Sequence, residues 1–270
     1  MQKAIDSPII RFGSIVGVAF LATCIAIFSF NLFAPPRPLA QLLPTRTATR
    51  RPPPTITPVA YPPTPQLYSK DDLRAQKNFP KASGVNLGYE YTQDGYLLTP
   101  PLDPGFVRVL DMSFTNPDYR NLSLDAVAAP AENSSNVEYG LVFWHGENEQ
   151  GRESFLAFTL NTKGNFRLLA YEPVEDKPDV YQFREVTPAA FSAAIRQDKS
   201  PQKIRVDVHP RRLLGYVNDQ LVLDTNAEII NDWRLRREWD GKVGIIALTM
   251  DAPGAQAVFS QFDIYADVKE

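Results

Sequence analysis

Residues 12–36 carry no charge. Within them Ser14–Phe33 (SIVGVAFLATCIAIFSFNLF) runs for 20 residues interrupted only by small hydroxyls and one amide. At about 1.5 Å per residue a helix of that length crosses the ~30 Å hydrocarbon core of a bilayer. A helix buried in a protein core shows a polar stripe, and this one has none. The expectation is a transmembrane helix over residues 14–34, preceded by a short flank, 1–13. A cleaved signal peptide has a shorter apolar region, ~7–15 residues, so the run reads as a signal anchor.

The string Leu21-Ala22-Thr23-Cys24 resembles a bacterial lipobox, although Thr23 stands where a smaller residue is usual. The apolar run also continues past Cys24, which reads as a small apolar residue within the membrane. Lys3 and Arg11 precede the helix, while Arg37, Arg46, Arg50 and Arg51 follow it. That count does not favour an outside C-terminus, but long domains translocate largely regardless of it. Pro35–Gln66 holds 11 of the 24 prolines. Proline lacks an amide hydrogen and restricts its predecessor, so this block extends as polyproline II rather than as helix or central strand. A Pro/Thr-rich disordered linker of this kind serves as a stalk, which places the body outside the cytoplasm at the cell membrane.

The remaining residues, 67–270, hold 22 basic and 30 acidic side chains, a net charge of −8. Such a body lacks the clustered Lys and Arg that neutralise phosphates, so no nucleic-acid partner is expected. One cysteine in the whole chain excludes a disulfide framework, a zinc ribbon and an iron–sulfur site.

From Leu87 onward the hydrophobic period is two. Lys203–His209 alternates cleanly, with Ile204, Val206 and Val208 on one face and Arg205, Asp207 and His209 on the other. Phe155–Leu160 and Phe166–Tyr171 flank the turn-rich Asn161–Asn165 and predict a hairpin. Leu213–Val217 and Gln220–Asp224 predict another around Asn218-Asp219, residues that tolerate positive φ. Leu122–Ala128, Tyr139–Trp144, Val243–Met250 and Val258–Ala266 read as further strands, with a hairpin at Gln93-Asp94-Gly95. Ser69–Gln76 suggests a short turn at the entrance and Pro188–Gln197 one short helix. Strands this closely spaced imply antiparallel pairing in two packed sheets, an all-β jelly-roll sandwich.

The series YGLVFWH, FLAFTLNTKGNFRLLAY, KIRVDVH, LLGYVNDQLV, GKVGIIAL and AVFSQFDIYA resembles the concanavalin A-like lectin/glucanase superfamily. The likeness is to its laminin G-like and 3-keto-disaccharide hydrolase-type branches, and covers Gly88 to Asp267. Asp219 replaces the glycine usual in the tight hairpin. The resemblance implies a concanavalin A-like β-sandwich. It does not fix a function, since the fold hosts binders, enzymes and scaffolds.

Glucanases of that superfamily carry Glu-x-Asp-x-x-Glu on one strand. The nearest string here, Glu238-Trp239-Asp240, has Val243 at the last position, so the retaining mechanism loses its carboxylate pair. No Gly-x-Ser-x-Gly, phosphate loop or His-Glu-x-x-His occurs. The cluster after YGLVF supplies the candidate ligand-binding residues Trp144, His145, Glu147, Glu149 and Arg152. They offer a ring for sugar stacking, groups that bond hydroxyls, and oxygen ligands for a structural Ca²⁺. The same segment also reads as a solvated hairpin loop with Trp144 packed on a sheet edge. Asp232–Trp239 reads as a loop pinned by its tryptophans, and His209 as a surface residue. No catalytic residue and no cofactor are identified.

The expectation is a membrane-anchored, extracytoplasmic, non-catalytic module that binds carbohydrate or an envelope protein. A glycoside hydrolase of the 3-keto-disaccharide type and a structural subunit of a membrane assembly are the alternatives.

Overall fold

The cleanest alternation in the sequence, Lys203–His209, lies in a strand whose burial alternates in step. Ile204, Val206 and Val208 are fully buried and the residues between them half-buried. The computed structural model describes residues 66–81, 88–101, 105–114, 121–132, 134, 136–147, 152–174, 177–209, 212–225, 238–239, 241–249 and 255–267. The chain divides into two units, Met1–Pro58 and Val59–Glu270, and every described residue belongs to the second. The expected anchor with Cys24, and the linker up to Pro65, lie outside the described residues. Among those residues no helix is long and apolar enough to cross a membrane.

The strands are β1 (Gln66–Asp72), β2 (Tyr89–Tyr91), β3 (Tyr96–Leu98), β4 (Phe106–Leu110), β5 (Leu122–Pro130), β6 (Val137–Glu147), β7 (Glu153–Asn161) and β8 (Asn165–Val174). They continue with β9 (Lys177–Phe191), β10 (Gln202–His209), β11 (Arg212–Val217), β12 (Gln220–Thr225), β13 (Glu238–Trp239), β14 (Gly244–Thr249) and β15 (Ala257–Ala266). All ladders are antiparallel. One sheet runs β12-β11-β10-β5-β15-β3-β2, with β1 also on β15; the other runs β4-β14-β6-β7-β8-β9, with β13 on β6. The described body is the expected all-β two-sheet sandwich. Its core holds inward residues of both sheets, among them Leu124, Val206, Phe259, Leu141, Phe158 and Ile245. Each such side chain contributes about 1.5–3 kcal/mol through removal from water.

The expected hairpins are present. Gly95, at φ 143°, closes β2–β3, where Thr92 N–H donates to its carbonyl at 2.7 Å. Asn218 and Asp219 turn β11 into β12 at φ 50° and 63° without glycine. Asn218 makes this affordable. Its Oδ1 accepts the Lys203 N–H at 3.0 Å, and its Nδ2 donates to Ala194 O at 2.8 Å and Gln202 Oε1 at 2.7 Å.

Two local expectations are corrected. Pro188–Phe191 is the end of β9, not helix, because Ala190 and Phe191 pair with Phe166 and Asn165. Sheet pairing outweighs alanine's helical preference, and an edge strand tolerates Pro188. Ser69–Asp72 is strand rather than turn, held on Ile264–Gln261; the turn follows, with Ala75 N–H donating to Asp72 O at 2.7 Å.

Candidate functional site

The strand β6 changes phase where the sequence cluster begins. Its register on β7 shifts between Phe143 and Gly146, and Trp144 takes φ 50°. A bulge of this kind re-aims side chains. Phe143 and Trp144 both enter the core, their rings 5.8 Å apart. Trp144 is 1 % exposed, so its ring packs between the sheets rather than at the surface.

His145 is also buried, and its Nε2 lies 2.5 Å from Glu153 Oε1. Arg108, on β4, forms an ion pair with the same Glu153 oxygen and lies 5.5 Å from the Phe155 ring centroid. Burial pushes the Glu153 carboxyl up. The hydrogen bond from His145 and the charge of Arg108 outweigh it and hold the carboxyl below its usual range. A carboxyl held ionised in this way accepts hydrogen bonds and is a poor general acid.

Beside this trio Phe155 stacks on Tyr171 (4.9 Å, 22°) and Tyr171 on Tyr181 (5.2 Å, 12°). Phe106 and Phe183 pack against Tyr171 at 4.9 and 5.1 Å. Phe155 and Tyr181 come from the strands on either side of β8, so both faces of Tyr171 are covered. Phe155, with Phe106, Tyr171 and Phe183 packed against it, belongs to a second apolar cluster with Val142, Leu169 and Ile246.

Of the five candidate residues, Glu147 is exposed, Arg152 is half-buried and Glu149 lies outside the described residues. Arg108 and Tyr171, which complete the cluster around His145, were not singled out in the sequence. They lie in distant strands, and only the sheet order brings them to Glu153.

The eight-stranded sheet carries a different feature on its outer face. A cavity of about 380 Å³ is lined by Leu122, Ser123, Asp125, Arg205, Asp207, His209 and Tyr265. Its three strands are neighbours. Asp125 stands opposite Arg205 on one side and Asp263 on the other, and Ser123 opposite Asp207 and Tyr265. Strand alternation therefore puts the polar residues on one face: the inward positions of KIRVDVH fill the core and leave Arg205, Asp207 and His209 outside.

Asp207 Oδ1 accepts the Ser123 hydroxyl at 2.6 Å and lies 3.3 Å from Arg205 Nε. The Arg205 guanidinium sits 4.0 Å from the Tyr216 ring centroid, a cation–π contact that fixes its position. Asn121 donates through Nδ2 to Asp267 Oδ2 at 2.5 Å, so its Oδ1 is the acceptor 3.2 Å from His209 Nδ1. In a neutral ring this puts the proton on Nδ1 and leaves Nε2 as an acceptor. Burial raises the Asp125 carboxyl against the lowering effect of Lys203 and Arg205, and its Oδ1 has no hydrogen-bond partner among the described residues.

The cavity thus alternates donors (Arg205, Ser123, the Tyr265 hydroxyl) with acceptors (Asp125, Asp207, His209). The alternation of KIRVDVH places Arg205, Asp207 and His209 on one polar face, but does not reveal the cross-strand partners that complete the cavity. Among the described residues no three His, Cys, Asp or Glu side chains group to hold a metal.

No protein-family model and no curated protein matches the sequence. Among solved structures, a Bacillus subtilis protein of unknown function with a galectin-like fold is 12% identical. The alignment covers 77% of this chain and 99% of that one, with a TM-score of 0.50. A carbohydrate-binding module from Bacillus subtilis is 12% identical over 70% of this chain and 96% of that one, with a TM-score of 0.47. The β-glucanase of Bacillus licheniformis is 12% identical over 74% and 98%, with a TM-score of 0.48. At these identities the likeness concerns the fold alone. The match at a TM-score of 0.50 agrees with the strand topology: the body is a two-sheet antiparallel β-sandwich of galectin-like fold.

Proposed function

We propose that the body is a non-catalytic carbohydrate-binding module, anchored in a membrane by residues 14–34 and spaced from it by the proline-rich stalk. The observation that carries the binding half is the cavity on the eight-stranded sheet. Its ~380 Å³ falls near the lower end of the ~300–1,000 Å³ usual for small-molecule sites, a volume that suits a mono- or disaccharide. Carboxylates opposite a guanidinium match the mixed donor and acceptor character of vicinal hydroxyls. Tyr265 lines the same cavity. The anchor rests on the uncharged run alone.

Binding of the detergent-solubilised full-length protein to a glycan array tests the reading. At least one glycan is retained, and Asp207→Asn and Tyr265→Ala each weaken it tenfold or more. Failure to bind any glycan overturns the carbohydrate reading. Recovery of the intact chain in the soluble fraction overturns the anchor.

One observation favours a second reading, glycoside hydrolysis. Asp125 and Asp207 line the same cavity, and burial raises the Asp125 carboxyl, as a general acid requires. Arg205 stands next to both and works against it. Turnover of an oxidised disaccharide that disappears in Asp125→Asn, while binding survives, would install the enzyme in place of the binder.

A further inference from the structure

Two carboxylates lie in the interior, far along the chain from each other, and no ion pair to either is formed among the described residues. Asp71, in β1, is fully buried, and Asp111, just after β4, is 2 % exposed. One oxygen of each is satisfied. Asp71 Oδ2 accepts the Asn78 N–H at 3.2 Å; Asp111 Oδ1 accepts the Ser113 N–H at 2.7 Å and the Ser113 hydroxyl at 2.6 Å. The other oxygens, Asp71 Oδ1 and Asp111 Oδ2, are buried and accept no hydrogen bond among the described residues.

Asn78 ties the two together. Its N–H holds Asp71, and its carbonyl receives the Met112 N–H at 3.0 Å, one residue beyond Asp111. Its side-chain Nδ2 donates to Ser69 Oγ at 3.2 Å, which leaves the amide oxygen as a further acceptor. Burial raises both carboxyls, and the charge of Asp111 adds to the rise at Asp71.

Buried charges are found paired, or coordinating a metal. Two like charges with one orphaned oxygen each are the arrangement a cation resolves. We propose that Asp71 and Asp111 hold a divalent cation, Ca²⁺ by ligand chemistry, which clips the first strand of the eight-stranded sheet to the end of β4 in the other sheet. Two carboxylate oxygens completed by amide or main-chain oxygens and water form an all-oxygen set, which suits Ca²⁺. The site lies apart from the loop after β6, where the sequence suggested calcium ligands. It would secure the strand through which the stalk enters the body, a place where fraying otherwise begins.

Isothermal titration of EDTA-treated full-length protein with CaCl₂, alongside thermal melting, tests this. We expect one Ca²⁺ per chain and a melting temperature raised by about 5–10 °C at a hundredfold excess over Kd. The near-isosteric Asp71→Asn and Asp111→Asn should each abolish the binding heat and the rise. Their metal-free melting should not fall below that of the metal-free wild type, since each removes a buried charge. A wild-type protein that gives no heat and no shift with Ca²⁺ or Mg²⁺ overturns the proposal without recourse to any variant. Asn variants that keep the full Ca²⁺ response overturn these residues as its ligands.

Discussion

Arg167 forks onto Glu138 through two parallel hydrogen bonds, Nε to Oε1 at 2.8 Å and Nη2 to Oε2 at 2.6 Å. Glu138 is 1 % exposed, and it also accepts the Thr159 hydroxyl; Arg167 reaches on to Glu185 Oε1 at 2.7 Å. The pair links β6 to β8 across β7. Removal of the arginine strands a buried carboxylate, so Arg167→Ala is expected to cost about 3 kcal/mol in urea denaturation. Replacement of both residues by methionine should recover most of that loss. A double variant as unstable as the single one would show that packing, not charge, is responsible.

Trp144 is placed to contribute to stability. Its indole is buried beside Phe143 at the β6 bulge. Trp144→Ala should lower unfolding free energy by about 3–5 kcal/mol through the cavity it leaves. The fraction still folded at low temperature should bind glycan as the wild type does. Selective loss of binding at unchanged stability would return Trp144 to the ligand site.

The fold was readable because burial in this body follows a period of two. KIRVDVH and LLGYV show their inner faces directly, and Asn218-Asp219 and Asp94-Gly95 mark where the chain reverses. Strand β4, FVRVL, is short and half-buried at every position but Val109, so its pattern gives no clear inner face. In PAAF local helical preference opposes the sheet, and only pairing with β8 decides. The site was less legible. Arg205, Asp207 and His209 were placed on one face, but Ser123, Asp125 and Tyr265 reach them only through the order β10-β5-β15, which no local pattern encodes. The sequence left Trp144 between a ligand role and packing, because one residue inserted at a bulge reverses which side chain faces outward.

Asp125 should trade stability for binding. Burial raises its carboxyl, so ionisation at neutral pH opposes folding. Asp125→Asn keeps the shape and removes the charge. At pH 7 it is expected to stabilise by about 1 kcal/mol in thermal melts, while weakening glycan retention. A variant that melts lower than the wild type would mean that the contacts of Asp125 with Lys203 and Arg205 outweigh its desolvation.

Glu153 should make stability acid-sensitive. Its folded carboxyl is held low although burial alone would raise it, because His145 and Arg108 bond and face it. A depressed folded value contributes stability that is complete above the unfolded value, about 4.3, and disappears as pH falls through the lower folded value. Urea midpoints at pH 7, 5, 4 and 3 separate this from general acid unfolding. The wild type should lose more stability between pH 5 and 3 than Glu153→Gln does, and at pH 7 the variant should be the less stable of the two. Parallel pH profiles would mean that Arg108 and His145 find other partners when the charge is gone, and the trio would then have no part in the acid limb.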